Sequence, residues 1–88
     1  MKTLQTTQFR KDLKRGKKQQ RNLDALKKAL NLLVEGEKLP ARFKDHALGG
    51  QWKDFRDCHI EPDWVLIYQI QADELHLVRI GSHANLFE

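Results

Sequence analysis

An 88-residue chain has room for one modest core, and residues 1–88 read as a single domain. With 40% of its residues hydrophobic and 32% charged it has the balance of a soluble globule, and its longest apolar run, Trp64-Val65-Leu66-Ile67-Tyr68, is far short of a membrane span, so neither disorder nor a membrane partner is expected. The net charge of +4 is uneven: residues 1–28 hold ten Lys or Arg against Asp12 and Asp24, a local +8, so the remainder carries −4. Such an excess points to a polyanion or an acidic protein as partner, or else to a solvated Lys-rich helix face.

Residues 1–6 predict a short strand anchored by Leu4. Phe9 and Leu13, four apart, share one face of a helix that Thr6 or Thr7 can cap. Gly16 and the run Lys17-Lys18-Gln19-Gln20 are expected to end or loosen it. Asn22 is a cap for a second helix. Its stripe is Leu23, Leu26, Ala29, Leu30, Leu33 and Val34, and Gly36 suits the left-handed position after its end. These two helices form an antiparallel hairpin.

Leu39-Pro40 through Gly49-Gly50 reads as a long loop bounded by breakers. A strand is expected over 52–60. Glu61-Pro62-Asp63 is a turn, and Trp64 to Ile70, apolar on both faces, is the central strand. Ala72-Asp73-Glu74 turns the chain into a last strand over 75–80. The expected fold is α+β: strand, two helices and a three-stranded antiparallel meander, with the helices on one face of a four-stranded sheet.

No apolar core follows the N-terminal charges, so a signal peptide is not expected. Cys58 stands alone and cannot form an internal disulfide, which fits a reducing cytoplasm, the expected location.

Groups that titrate near neutral pH lie wholly in the second half. His46 is in the long loop, His59 ends a strand and His83 follows the last one, edge positions where functional side chains commonly sit. His76 is mid-strand and reads as structural. Asp57 and Asp63 bracket His59, and either can orient an imidazole. Trp52, Phe55 and Trp64 read as core. Phe87 is either a plug or a ring presented to a ligand. Metal ligation is the competing use of these side chains, but no H-x-x-x-H pair or thiolate cluster is present, so neither a metal nor another cofactor is expected.

Three runs together carry a resemblance. Phe43-Lys44-Asp45-His46-Ala47-Leu48-Gly49-Gly50-Gln51-Trp52-Lys53, Arg56-Asp57-Cys58-His59-Ile60-Glu61-Pro62-Asp63-Trp64-Val65-Leu66-Ile67-Tyr68 and Arg79-Ile80-Gly81-Ser82-His83-Ala84-Asn85-Leu86-Phe87 resemble the YafQ branch of the RelE superfamily, toxins of bacterial type II toxin–antitoxin systems. The first half resembles that family in layout and basicity. The resemblance implies a RelE-like fold and a metal-independent endoribonuclease that cuts mRNA on the translating ribosome. It also implies a small cognate antitoxin, with operator DNA met only through the toxin–antitoxin complex. It places His83 at the principal catalytic histidine, and His46, His59 and Asp63 at other acid, base or phosphate-contacting positions. Asp57 and Phe87 match further site positions. Such cleavage needs a base for the 2′-hydroxyl, an acid for the 5′-oxygen and cations for the phosphate. His83 is expected to be the acid and His46 or His59 the base, with Asp63 positioning or sharing that role. Lys53, Arg56 or Arg79 is expected to steady the phosphate, and Lys14, Lys17 and Lys18 to contact ribosomal RNA. The alternative is a non-catalytic RelE-fold module that binds antitoxin, DNA or ribosome.

Overall fold

A computed structural model describes residues 1–87. The elements run β1 (Lys2–Gln5), α1 (Thr7–Lys18), α2 (Leu23–Val34), β2 (His46–Ala47), β3 (Arg56–Glu61), β4 (Trp64–Gln71), β5 (Glu74–Gly81) and α3 (His83–Phe87), with 3₁₀ turns at Ala41–Phe43 and Gly50–Trp52. They make a five-stranded sheet in the order β1-β5-β4-β3-β2. The meander β3-β4-β5 is antiparallel, as expected. β1 runs parallel to β5 at one edge, a pairing that the helical hairpin makes possible by carrying the chain back to the same end. The expected four strands become five because His46–Ala47, expected as loop, pairs with Arg56–Asp57 at the other edge.

Local chemistry fixes the helix ends. Thr6, one of the two candidate caps, accepts the Phe9 amide at 2.9 Å and donates to the Val78 carbonyl at 2.7 Å, so it ties α1 to β5. Asn22 caps α2 by accepting the Ala25 amide. Gly36, with φ of 75°, closes α2 as expected: its own amide bonds Leu33 O and the Glu37 amide bonds Leu32 O.

Gly16 does not end α1, which continues through Lys18. It is there for packing, because a Cβ would lie 2.6 Å from Cζ2 of Trp64. The same two-bond ending is instead built on Gln20, at φ of 59°, with the Arg21 amide on Gly16 O.

β4 is buried on both faces. Trp64, Leu66 and Tyr68 pack with Phe9, Leu26, Ala29 and Leu33 of the helices. Val65 and Ile67 face the other way and are covered by Leu86 of α3 together with Leu48, Trp52, Phe55 and Val78. This second cover explains why β3 starts at Arg56 rather than at residue 52. Trp52 and Phe55 pack edge to face, 5.6 Å between ring centroids, in a loop over the sheet. A bulge in β5 accompanies the register shift beside Ile67 and Tyr68. None of the helices among the described residues is long and apolar enough to cross a membrane.

One buried ion pair locks α1 onto β5. Asp12 is 5% exposed and accepts Arg79 Nε at 2.8 Å, Arg79 Nη2 at 3.0 Å and the Ile80 amide at 3.2 Å. Burial by itself would raise the Asp12 carboxyl, but these donors and Gln8 together hold it below the usual carboxylate range.

Two outcomes follow from this packing. Gly16→Ala should destabilise the protein by about 1–3 kcal/mol through overpacking on Trp64, although Ala is the better helix former by about 1 kcal/mol; denaturant titration gives the sign. Asp12→Ala should cost roughly 2–3 kcal/mol at neutral pH. Because the Asp12 pKa is depressed on folding, its stabilisation is present above the unfolded carboxyl value of about 3.9 and lost as pH falls through the lower folded value. The gap between wild type and variant should therefore close in acid, which thermal melts across pH would show.

Candidate active site

Period-two alternation in β3 sends Cys58 and Ile60 to the helical core and leaves Asp57 and His59 on the opposite face. The β2–β3 pairing sets His46 directly across from Asp57. On the far side, Val65 of β4 lies between His59 and Gly81 in register. Just beyond Gly81 the chain enters α3, with Ser82 accepting the Asn85 amide at 3.1 Å. Leu86 pins α3 to Val65 and Ile67, which returns His83 and Phe87 towards β3.

The result is a row of four rings from three separate places in the chain: β2, β3 and α3. Centroids are 6.4 Å apart for His46 and His59, 5.1 Å for His59 and His83, and 6.1 Å for His83 and Phe87. Phe87 is half-exposed at the end of this row, and Leu86 is the plug.

Carboxylates stand at both ends of the histidine row. Asp63 Oδ1 accepts both the His83 amide at 2.9 Å and Nδ1 at 2.8 Å. These two bonds hold the Asp63 carboxyl below its usual range, so it is ionised near neutral pH. With Nδ1 engaged, Nε2 is the His83 nitrogen left for substrate.

Asp57 is 3% exposed, and burial pushes its carboxyl up, against the pull of His46, His59 and His83. His46 Nδ1 lies 3.0 Å from Asp57 Oδ1, but its hydrogen serves the Lys44 carbonyl at 2.8 Å. Asp57 Oδ1 is left with a close charge contact and no aligned donor. His59 is pushed below the ordinary imidazole value, first by burial and then by His83, Lys44 and His46, with Asp57 opposing. Among the described residues no three His, Cys, Asp or Glu side chains converge with metal-holding geometry.

Two of the expected phosphate contacts, Arg79 and Arg56, are engaged in ion pairs. Arg79 is taken by Asp12. Arg56 is bound through Nη2 and Nε to Asp45, which also accepts the Tyr68 hydroxyl. This cluster braces the segment just before His46, a positioning role for Asp45 and Tyr68 that sequence reasoning missed. Lys53 is exposed on the loop covering the second face of the sheet. Lys44 was also missed: it is exposed, acts on His59 by charge and shares with it a cavity of about 350 Å³. Its place inside the first motif was the available signal. Lys14 and Lys18 line a shallow basic depression on α1 with Lys11 and Arg15, whereas Lys17, although exposed, is outside it. Burial leaves the Cys58 thiol protonated and inert.

Known proteins match this chain over nearly its whole length. A family model described as "Bacterial toxin of type II toxin-antitoxin system, YafQ" matches residues 1–88. The chain is 44% identical over 81 residues to the mRNA interferase toxin YafQ of Escherichia coli K12, covering 91% of this chain and 88% of that one. It resembles the YafQ-type chain in a crystal structure of the E. coli DinJ-YafQ complex, with TM-score 0.91, 41% identity and coverage of 98% and 97%. A metal-bound toxin from Helicobacter pylori is also similar, with TM-score 0.92, 42% identity and coverage of 99% of each chain. The chain therefore belongs to the YafQ family of toxins of bacterial type II toxin–antitoxin systems.

Proposed function

We propose that this chain is an endoribonuclease that cuts mRNA on the translating ribosome by acid–base catalysis among its histidines. The observation that carries the reading is the His46-His59-His83-Phe87 row, with ionised Asp63 fixing His83. It is supported by the 44% identity to a relative named as an mRNA interferase.

In this mechanism the RNA 2′-hydroxyl attacks its own phosphorus as His59 takes its proton. The bond to the 5′-oxygen breaks and His83 Nε2 protonates that oxygen, leaving a 2′,3′-cyclic phosphate. His59 is suited to the base role because its lowered pKa keeps it neutral near pH 7. Asp63 positions His83, and buried Asp57 supplies the charge behind His46 and His59. Lys44 joins Lys53 in the electrostatic role, Arg56 and Arg79 being bound to Asp45 and Asp12. His46 borders the phosphate, and Phe87 offers a face on which a base can stack. No step is routed through a metal.

Acid–base groups supply about 10²–10⁴-fold each, while orientation of reacting atoms supplies more. An open row on a sheet surface does little to orient flexible RNA, and a ribosome that presents the message does the rest. Lys14 and Lys18, with Lys11, form the face for ribosomal RNA. An antitoxin is the further partner, as DinJ is for the E. coli relative. In the competing binding-module reading the message stays uncut, so cleavage mapping in induced cells separates the two.

His83→Ala should slow cleavage roughly 10²–10⁴-fold while antitoxin binding persists. A message with sulfur in place of the scissile 5′-oxygen should restore His83→Ala and leave His59→Ala slow, because a thiolate leaves without a proton. Equal rescue of both variants would reverse or void the assignment.

For the base, the neutral form is present above the depressed His59 pKa, so the rate should rise with pH through a value below about 6.5. Lys44→Gln removes a cation that depresses this pKa and should move the acid limb to higher pH. Single-turnover cleavage between about pH 5 and 8 measures it, and an unmoved limb would contradict His59 as the base.

A further inference from the structure

A second basic feature lies behind His83. The two-bond ending of α1 turns the chain at Gln20 and brings Arg21 back beside Gly16. Together with Arg15, Gln19, Ser82 and Asn85 this closes a small polar pocket of about 110 Å³. Its floor is Asp12, whose carboxylate is already filled by Arg79, Gln8 and the Ile80 amide. Arg15 and Arg21 therefore set the charge of the pocket. Among the described residues neither guanidinium pairs with a carboxylate in an ion pair.

Size and position restrict what can enter. At about 110 Å³ the pocket is far below the roughly 300–1,000 Å³ of small-molecule sites, so it suits a group the size of one phosphate rather than a nucleoside. It adjoins two other features. Arg15 also lines the basic depression on α1, and Ser82 directly precedes His83. Arg21 is near enough to Asp63 to act on its charge. A track of positive charge that runs from α1 to the edge of the ring row suits a polymer of phosphates better than a free ion.

We propose that this pocket is a phosphate subsite, in which Arg15 and Arg21 hold the backbone phosphate of the message next to the scissile one. The proposal rests on the reading of the chain as a nuclease acting on ribosome-bound mRNA and extends it. Its consequence is directional: the strand crosses the ring row and leaves along α1, so the message and ribosomal RNA meet one continuous cationic edge.

The test uses ribosomes programmed with a message whose scissile 2′-hydroxyl is replaced by hydrogen, so that binding is read without cutting. Affinity is measured for the wild type and for Arg15→Gln/Arg21→Gln. Each is tested on the normal message and on messages with one neutral methylphosphonate flanking the scissile position on either side. Wild type should lose roughly 10- to 100-fold on neutralisation of one of the two flanking phosphates, the range for charge-assisted bonds. The double variant should lose a similar factor on the normal message and nothing further on that modified one. Near-UV circular dichroism checks that the variant is folded, and Arg21→Lys should keep part of the affinity. Unchanged binding by the variant overturns the proposal. So do losses that multiply, because the arginines would then be reading ribosomal RNA and not the message. Cleavage of unmodified message by the wild type is run alongside. Its absence would remove the nuclease reading, while the affinity cycle would still decide the subsite.

Discussion

A strand that is apolar on both faces must be covered on both, and β4 imposes that demand on the rest of the chain. The α1–α2 hairpin covers one face through Phe9, Leu26, Ala29 and Leu33. It cannot reach the other, where Val65 and Ile67 would stand in water at a cost of about 1.5–3 kcal/mol each. The chain meets this with two short pieces, the loop carrying Leu48, Trp52 and Phe55 and the five-residue α3 with Leu86. Both pieces deliver chemistry. His46 sits at the entry to the loop, and His83 opens α3. The ring row is thus assembled where the second face of the sheet is sealed, and His59 and Asp57 reach the same face through the alternation of β3.

Charge is divided between folding and the surface in a way that composition does not reveal. Four arginines of interest fall into two pairs. Arg79 and Arg56 are bound to Asp12 and Asp45, where they hold α1 on β5 and brace the approach to His46. Arg15 and Arg21 line the small pocket beside Ser82 and Asn85, and Arg15 also borders the depression with Lys11, Lys14 and Lys18. The first pair stabilises; the second is available to a polyanion. An arginine inside a motif and an arginine in a basic run look alike as letters, and the partner carboxylates that separate them lie 67 and 11 positions away.

The electrostatics of the row follow the same logic. His59 lies between two other imidazoles and near Lys44, so every neighbour except Asp57 disfavours a further positive charge on it. Asp63 is exposed, and its carboxyl is held below the usual range because His83 supplies two donors to one oxygen. Adjacent imidazoles with unlike surroundings are what opposite proton roles require, and this asymmetry underlies the proposed assignment of base and acid.

Much of the architecture was legible in the sequence because it is local. Caps at Thr6 and Asn22, the glycine ending at Gly36, the stripe of α2 and the turns at 61–63 and 72–74 are set by side chains within a few residues. The motifs around His46, His59 and His83 also stood out, and with them the family. What escaped depends on distant contacts. The ending expected from Gly16 and residues 17–20 falls within that run, at Lys18, while Gly16 itself is a seat for Trp64. Residues 46–47 read as loop and are a strand only because Asp57 lies opposite. Residues 52–55 read as strand and are a lid because Val65 and Ile67 need one. The sequence by itself determined which residues carry titratable and cationic chemistry, since that is a property of each side chain. Only the tertiary structure decided which of them meet, since burial and ion pairing depend on what the fold brings alongside.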